Sequence, residues 1–577
     1  MFRFRSGMKQ LLSIALANAI LLPSLSLRAL EPSREQARSM TINRFGIVAT
    51  SQTLASQAGA AILERGGSAV DAAIAANAAL GVIEPMMNGI GGDLFAIVYD
   101  AKAKKLYGLN SSGWSPKAMT IAALEAKGIT GEIPSTSIYS VTVPGTVAGW
   151  AALHDRFGKI SLAEDLAPAV AFADEGVPIT ETDAENWEKY GPPFAGQPGF
   201  APVFLPYGKA PKIGEIFRNP NLAATLKEIG VNGRDGFYRG SVANSIVQLS
   251  AEQGGMMVAE DLQDFQPEWV DPVSTTYRGW KVWEMPPNGQ GIAALSMLNI
   301  MEQFPLQQYG HNSVQALHVE IEAKKLAYAD MHHYVADPKF SHIPVQELIS
   351  KELAQKRAKL IQDRAQCNVL PSDIKQQLSR LTSDTTYLSV VDKDGNEVSL
   401  IQSNAGAFGS GLVPPNAGFV LQNRGEAFTL KPDLANSLAP HKRPLHTIIP
   451  AFMEKDGETI AFGIMGGFNQ SQAHAQFVSN IADFNMNIQS ALEASRFVKY
   501  SFDGCDVEVD SGVPKTAIDG LTAKGHEISV TPRFSQDMGR GNAVLHDEKL
   551  NVNFGASDPR GDGEAIPEEP PFSVGKK

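Results

Sequence analysis

Two hydrophobic periods divide this chain, and the change between them falls near residue 385. Before it, small and apolar residues recur at helical spacing through 51–65 and 69–82, with Gly66-Gly67 closing the first run. The alanines of Asp71-Ala72-Ala73-Ile74-Ala75-Ala76 predict a helix face that lets neighbours approach closely. Another amphipathic helix is read at 315–330, with Ala316, Val319, Ala323 and Leu326 on or near one stripe. Residues 345–380 are charge-rich and helical in pattern, without an apolar strand run, which places them outside the core. From 386 the period drops to two. Residues 386–391 and 398–402 alternate as paired strands around the turn pair Asp394-Gly395. Further strands are expected at 418–423, 448–452 and 459–464, and helices at 473–483 and 490–494. A short helix ends at Lys524-Gly525-His526, and a hairpin turns at Asp547-Glu548. Such alternation belongs to the α/β layered class, in which helices cover the outer faces of sheets.

Composition narrows the function classes. A chain of 577 residues with 43% apolar content can build one large layered core or two intimately joined parts. Its formal charge of −12 argues against a nucleic-acid partner, because phosphate binding needs a basic face. Arg3, Arg5 and Lys9 precede an apolar run from Leu11 to Leu22, and Leu27-Arg28-Ala29 follows. That arrangement predicts a signal peptide over residues 1–30 and export to the periplasm or beyond; the apolar run is short for a spanning helix. Elsewhere the sequence has no apolar run long enough for a bilayer, so no stable membrane insertion of the mature protein is expected.

Cys367 and Cys505 are the only cysteines, too few for a disulfide scaffold or a thiolate metal cluster. They are read as two isolated thiols, the alternative being a bond that ties two pieces together if the chain is cut between them. His332-His333 with Asp330 and Asp337 completes no four-ligand set. Gly89-Ile90-Gly91-Gly92-Asp93 lacks the Gly-Lys-Ser/Thr end of a phosphate loop and reads as a glycine turn near a cleft. Neither metal nor cofactor is expected.

The chemistry centres on Thr385, at the mouth of the 386–402 hairpin. A threonine opening a strand is ordinarily structural. If the Asp384-Thr385 bond breaks, however, Thr385 gains an α-amine beside its own hydroxyl, and that amine serves as the base for the nucleophile.

The run Thr385-Thr386-Tyr387-Leu388-Ser389-Val390-Val391-Asp392-Lys393-Asp394-Gly395-Asn396 resembles the start of the small subunit of γ-glutamyltransferases (glutathione hydrolases), which are N-terminal nucleophile hydrolases. Matching runs are Gly89-Ile90-Gly91-Gly92, Val143-Pro144-Gly145-Thr146-Val147-Ala148-Gly149, Lys442-Arg443-Pro444, Met465-Gly466-Gly467 and Gly555-Ala556-Ser557-Asp558-Pro559-Arg560. They follow the family order from about residue 40 to the C-terminus. The resemblance implies a four-layer αββα sandwich built jointly by a large subunit, 31–384, and a small subunit, 385–577, from one precursor. It implies autocleavage between Asp384 and Thr385, with Thr385 as nucleophile. Ser403 takes the place of a hydroxyl that contacts the nucleophile, and Gly466 and Gly467 that of an oxyanion hole. The implied donor is a γ-glutamyl or similar acyl amide, and the acceptor water, an amino acid or a peptide.

Departures from the family pattern concern the substrate. Ser112 stands where an arginine clamps the substrate carboxylate, Ala427 where an acid holds its ammonium, and His446-Thr447 where two serines stand. Losing a bidentate arginine removes charge and geometry together. Arg424 and Glu426 lie nearby and either restore a clamp for the head group or form a surface ion pair. The loop 429–441 is short beside that of members with a long lid. These features resemble the related glutaryl or cephalosporin acylases and predict weak glutathione turnover; a non-catalytic exported relative is the other alternative.

Overall fold

The computed structural model describes residues 36–371 and 384–570. The proposed signal peptide, 1–30, lies outside the described residues. In the described part, no helix is long and apolar enough to cross a membrane.

Two seven-stranded antiparallel sheets carry the fold. One has the order Ala565–Pro567, Ile47–Ala49, Asp384–Val391, Glu397–Ala405, Asp93–Asp100, Lys105–Ser111, Glu268–Val270. The other runs Thr41–Asn43, Val552–Ser557, Gly541–Asp547, Glu458–Ile464, Ala451–Lys455, Trp280–Glu284, Val273–Tyr277. Strand period explains how they stack, since successive side chains point to opposite faces. Tyr387, Val391, Ile401, Phe95 and Ile97 meet Phe452, Ala461 and Val544 between the sheets. Their sequence neighbours Leu388, Val390, Leu400, Leu94 and Ala96 pack outward with residues of the helices Thr53–Glu64, Ala69–Ile83 and Leu162–Glu175. Met453, Ile460, Phe462 and Ala543 of the second sheet do the same with Gly291–Met301, Val314–Tyr334 and Asn469–Ala482. The result is the expected αββα sandwich. Each leucine or valine so enclosed contributes roughly 1.5–3 kcal/mol relative to exposure.

The helix Ala69–Ile83 follows from local chemistry. Ser68 accepts from the Asp71 amide, and Asp71 accepts from the Ser68 amide, forming a reciprocal cap. Its alanines are buried, and the neighbouring helix packs against them.

Three expectations are corrected. Residues 418–423 form no strand: the Gln422 and Asn423 amides bond Gly91 and Asn404 carbonyls, and Leu421 bonds Leu412, so the segment laces loops together. Of the charge-rich section, only Val345–Leu348 and Lys351–Ala358 are helical among the described residues, and 372–380 lie outside them. Nor is it wholly outside the core, because Leu348, Ala354 and Ala358 pack into the second helical layer. Finally, Cys367 and Cys505 are not isolated thiols but a disulfide, 138 residues apart in sequence. The Asp384-Thr385 junction lies between them.

Candidate active site

Thr385 sits where a bulge interrupts the register of two central strands. Asp384 pairs with Ala405 and Thr386 with Gln402, so Thr385 alone faces two residues, Ser403 and Asn404, and the extra residue of the bulge belongs to the strand Glu397–Ala405. The bulge brings its hydroxyl over the neighbouring strand, where Thr385 Oγ1 donates to Ser403 Oγ at 3.2 Å. Both residues are buried. Thr386, one step along, is also buried, and its hydroxyl finds no partner among the described residues.

Behind Ser403 lies a buried polar network. Ser403 Oγ accepts from the Ala405 amide at 2.9 Å and from Arg424 Nη2 at 3.1 Å. Arg424 Nη1 donates to Thr447 Oγ1 at 2.8 Å. Burial lowers the Arg424 pKa to about 10, which still leaves the guanidinium charged at neutral pH. No carboxylate lies within ion-pair distance of it among the described residues, and its Nε–H is buried without a partner. The surface ion pair with Glu426 is therefore not formed. Glu426 is half-buried, accepts a long 3.5 Å bond from Asn423, and has its pKa raised to about 7, mainly by desolvation.

His446 and Ser112 belong to the same interior. His446 Nε2 contacts Asp93 Oδ2 at 2.9 Å while His446 Nδ1 accepts from the Ile448 amide, which fixes the neutral tautomer with its proton on Nε2. Burial, and then the charge of Arg424, depresses the His446 pKa to about 4. Asp93 also accepts from the Gly113 amide and Gln422 Nε2, each at 2.9 Å. Ser112 Oγ accepts from Asn288 Nδ2 at 3.0 Å, and its carbonyl accepts from Arg443 Nε at 2.9 Å.

Gly466 and Gly467 follow the strand Glu458–Ile464 and precede the helix Asn469–Ala482. Their φ angles, +131° and +61°, lie in the left-handed region that glycine tolerates. Their carbonyls accept from Asn469 and Gln470 amides, and Gly467 also from Gln290 Nε2 at 2.7 Å. Neither amide N–H donates to a protein group among the described residues. Thr385 and Gly466 line one cleft of about 360 Å³, within the range of small-molecule sites. Met465, Gly539 and Arg540 form its buried end; Glu185, Lys189, Arg533 and Asp537 ring its mouth. Ser403, Arg424, Glu426, His446, Thr447 and Ser112 do not line it.

Sequence reasoning missed Arg540. The available signal was a cation directly after Gly539, at the start of the buried strand Gly541–Asp547, where a charge needs a reason.

Comparison with known proteins agrees with this architecture. Residues 55–568 match the family model described as gamma-glutamyltranspeptidase. The glutathione hydrolase-like YwrD proenzyme of Bacillus subtilis is 37% identical over 525 residues, covering 90% of this chain and 98% of its own. The oxamate amidohydrolase proenzyme of Klebsiella pneumoniae is 32% identical over 91% of this chain and 99% of its own. Among solved structures, a cephalosporin acylase from Bacillus halodurans superposes with a TM-score of 0.87 at 41% identity, covering 92% of this chain and 97% of that one. The chain belongs to the γ-glutamyltranspeptidase family, enzymes of the N-terminal nucleophile hydrolase type.

Proposed function

We propose that this protein is an exported, autoprocessed amidohydrolase whose nucleophile is Thr385. In the precursor, Thr385 Oγ1 attacks the Asp384 carbonyl carbon, and the C–N bond to Thr385 breaks. The resulting ester is hydrolysed, leaving a carboxylate on Asp384 and a free α-amine on Thr385. Large subunit 31–384 and small subunit 385–577 then share one core.

In the mature enzyme the α-amine takes the proton of Thr385 Oγ1 as that oxygen bonds to the acyl carbon of the donor. The amide C–N bond breaks, and the same proton passes to the leaving nitrogen. Water or an amine acceptor then cleaves the ester and restores the hydroxyl. Gly466 and Gly467 amides stabilise the oxyanion; one such donor is worth roughly 3–4 kcal/mol at the transition state. Ser403 holds Thr385 Oγ1 in place, and Arg424, braced by Thr447, holds Ser403. His446, Ser112 and Glu426 support this wall from behind.

The observation that carries the proposal is the Thr385 hydroxyl, 3.2 Å from Ser403, on the wall of the cleft that Gly466 also lines. An acyl amide simpler than glutathione is the favoured donor, since the family positions for the amino-acid head group hold Ser112, Ala427, His446 and Thr447. Relatives named as an acylase and an amidohydrolase point the same way. The second reading, a γ-glutamyl donor, keeps the same acyl-enzyme and rests on relatives named as glutathione hydrolases.

Mass measurement on a denatured sample is the test. The native protein is expected as two fragments meeting at Asp384 and Thr385, and Thr385→Ala as one chain without amidase activity. Normal cleavage in that variant overturns the assignment, and an active preparation that is never cut overturns it equally.

A further inference from the structure

The charges around the cleft are unevenly placed. Four charged side chains ring its mouth, two of each sign: Glu185, Asp537, Lys189 and Arg533, all exposed. At the buried end stands one charged side chain, Arg540, only 3% exposed. Its guanidinium is ion-paired with Glu84 through one nitrogen only. Among the described residues it makes one 3.3 Å contact from Nη1 to Glu84 Oε1 and a 4.0 Å contact from Nη2 to the Met465 sulfur. A guanidinium has five N–H donors, and a carboxylate met fork to fork takes two in parallel at shorter distances.

The nearby carboxyl groups are shared with other donors. Glu84 also accepts from Ser51 at 2.6 Å, and burial raises its pKa against the pull of Arg540. Asp183, capped by Thr180 at 2.7 Å, is raised well above the carboxylate range by burial and then by Glu84. Asp562 accepts from the amide and hydroxyl of Thr182. By contrast, Arg424 is sealed behind Ser403, outside the cleft lining, so a bound ligand meets Arg540 first.

We propose that Arg540 binds a carboxylate carried on the acyl group of the donor, making monoamides of dicarboxylic acids the preferred substrates. This rests on the Thr385 acyl-enzyme described above. The acyl chain lies between the Thr385 and Gly466 wall and the Arg540 end, and the leaving amine faces the mouth, whose mixed charges impose little selection. The arginine lost at position 112 is thus replaced in function from a different wall, and the group read is an acyl-terminal carboxylate with no requirement for an adjacent ammonium.

The test compares two p-nitroanilides of equal chain length, glutaryl and pentanoyl, which differ by the terminal carboxylate. Processed wild-type enzyme is expected to favour glutaryl in kcat/KM by roughly 10- to 150-fold, the range for hydrogen bonds to a charged group. Arg540→Gln should bring the ratio close to one, and Arg540→Lys should recover part of it. Because Gln at 540 leaves Glu84 without its cation, the double variant with Glu84→Gln gives a second measurement. Cleavage at Asp384-Thr385 reports folding in every variant. A third substrate, the pentanoyl amide of 4-aminobenzoate, puts the carboxylate on the leaving group.

Equal use of glutaryl and pentanoyl amides by the wild type overturns the proposal. So does a preference that Arg540→Gln leaves intact, or one that follows the leaving group. If the Thr385 reading itself fails, no fragments form and no anilide is consumed, an outcome distinct from a cut, active enzyme indifferent to the carboxylate.

Discussion

The two sides of Thr385 are built differently. Behind it, Ser403, Arg424, Thr447, His446 and Asp93 are buried and hydrogen-bonded to one another or to their surroundings. In front, the cleft has open volume, the Gly466 amide, which donates to no protein group among the described residues, and an arginine paired through one nitrogen only. A buried network whose hydroxyls and guanidinium nitrogens hold one another resists rearrangement, so it fixes the nucleophile; an open wall leaves donors for whatever binds. Changes behind Thr385 should therefore lower kcat for every donor, whereas changes in front should discriminate between transition state and ground state or between donors.

The front wall offers the largest effect. Gly466→Ala places a Cβ where φ is +131° and where Asn469 Cβ is 3.3 Å away, so the turn must shift and its amides leave their alignment. The kcat for an acyl anilide is expected to fall roughly 10²- to 10³-fold with KM little changed. A rise in KM at constant kcat would mean that the glycines serve ground-state binding.

From behind, Arg424→Met removes the donor to Ser403 and Thr447. We expect kcat to fall roughly 10- to 100-fold, and equally for glutaryl and pentanoyl amides. Arg424→Lys should rescue poorly, because one ammonium cannot span both hydroxyls in the guanidinium geometry. A loss confined to one acyl group would assign Arg424 to the substrate and erase the distinction between the two sides.

Legibility in the sequence followed the same division. Alternation in 386–391 and 398–402 gave the hairpin because both faces are packed and each face keeps its own set of side chains. Met465-Gly466-Gly467 was readable only through the family resemblance, since two glycines after a strand ordinarily make a turn; the structure gives both glycines positive φ. What the sequence hid was which polar residues share a cleft. Ser112, His446 and Thr447, expected at positions for the substrate head group, spend polar atoms on Asn288, Asp93 and Arg424, partners 176, 353 and 23 residues away. Residues 418–423 have strand composition, but Gly418 approaches the Leu222 amide too closely for any side chain, and their backbone bonds go to loops. Arg540 carried a local signal, a cation next to a buried strand, but nothing local says that it shares a cleft with Thr385.

A smaller effect on the rear wall is one of stability. His446 titrates near 4 when folded and near 6.5 when unfolded, so between those values the unfolded chain binds more protons. Its contribution is complete above pH 6.5 and is lost as pH falls towards 4. His446→Gln keeps an N–H for Asp93 without a site to protonate. Urea unfolding from pH 7 to 4 should show the wild type losing about 1–3 kcal/mol more than the variant over that interval. Parallel curves would remove His446 from the acid sensitivity.

The smallest effect on catalysis is expected at Cys367–Cys505, which spans the proposed cut without lining the cleft. Association of the fragments does not depend on it, because the strand beginning at Asp384 is paired with Ile47–Ala49 from one piece and Glu397–Ala405 from the other. Reduction should therefore change kcat by no more than about twofold while separating one band into two on a denaturing gel. Its consequence is for unfolding: with the bond intact the fragments find each other at a fixed effective concentration, and once it is reduced the melting temperature should fall and become dependent on protein concentration. If reduction abolishes activity at once, the packing of shared strands is not enough to hold Thr385, and the rear wall is less rigid than its hydrogen bonds imply.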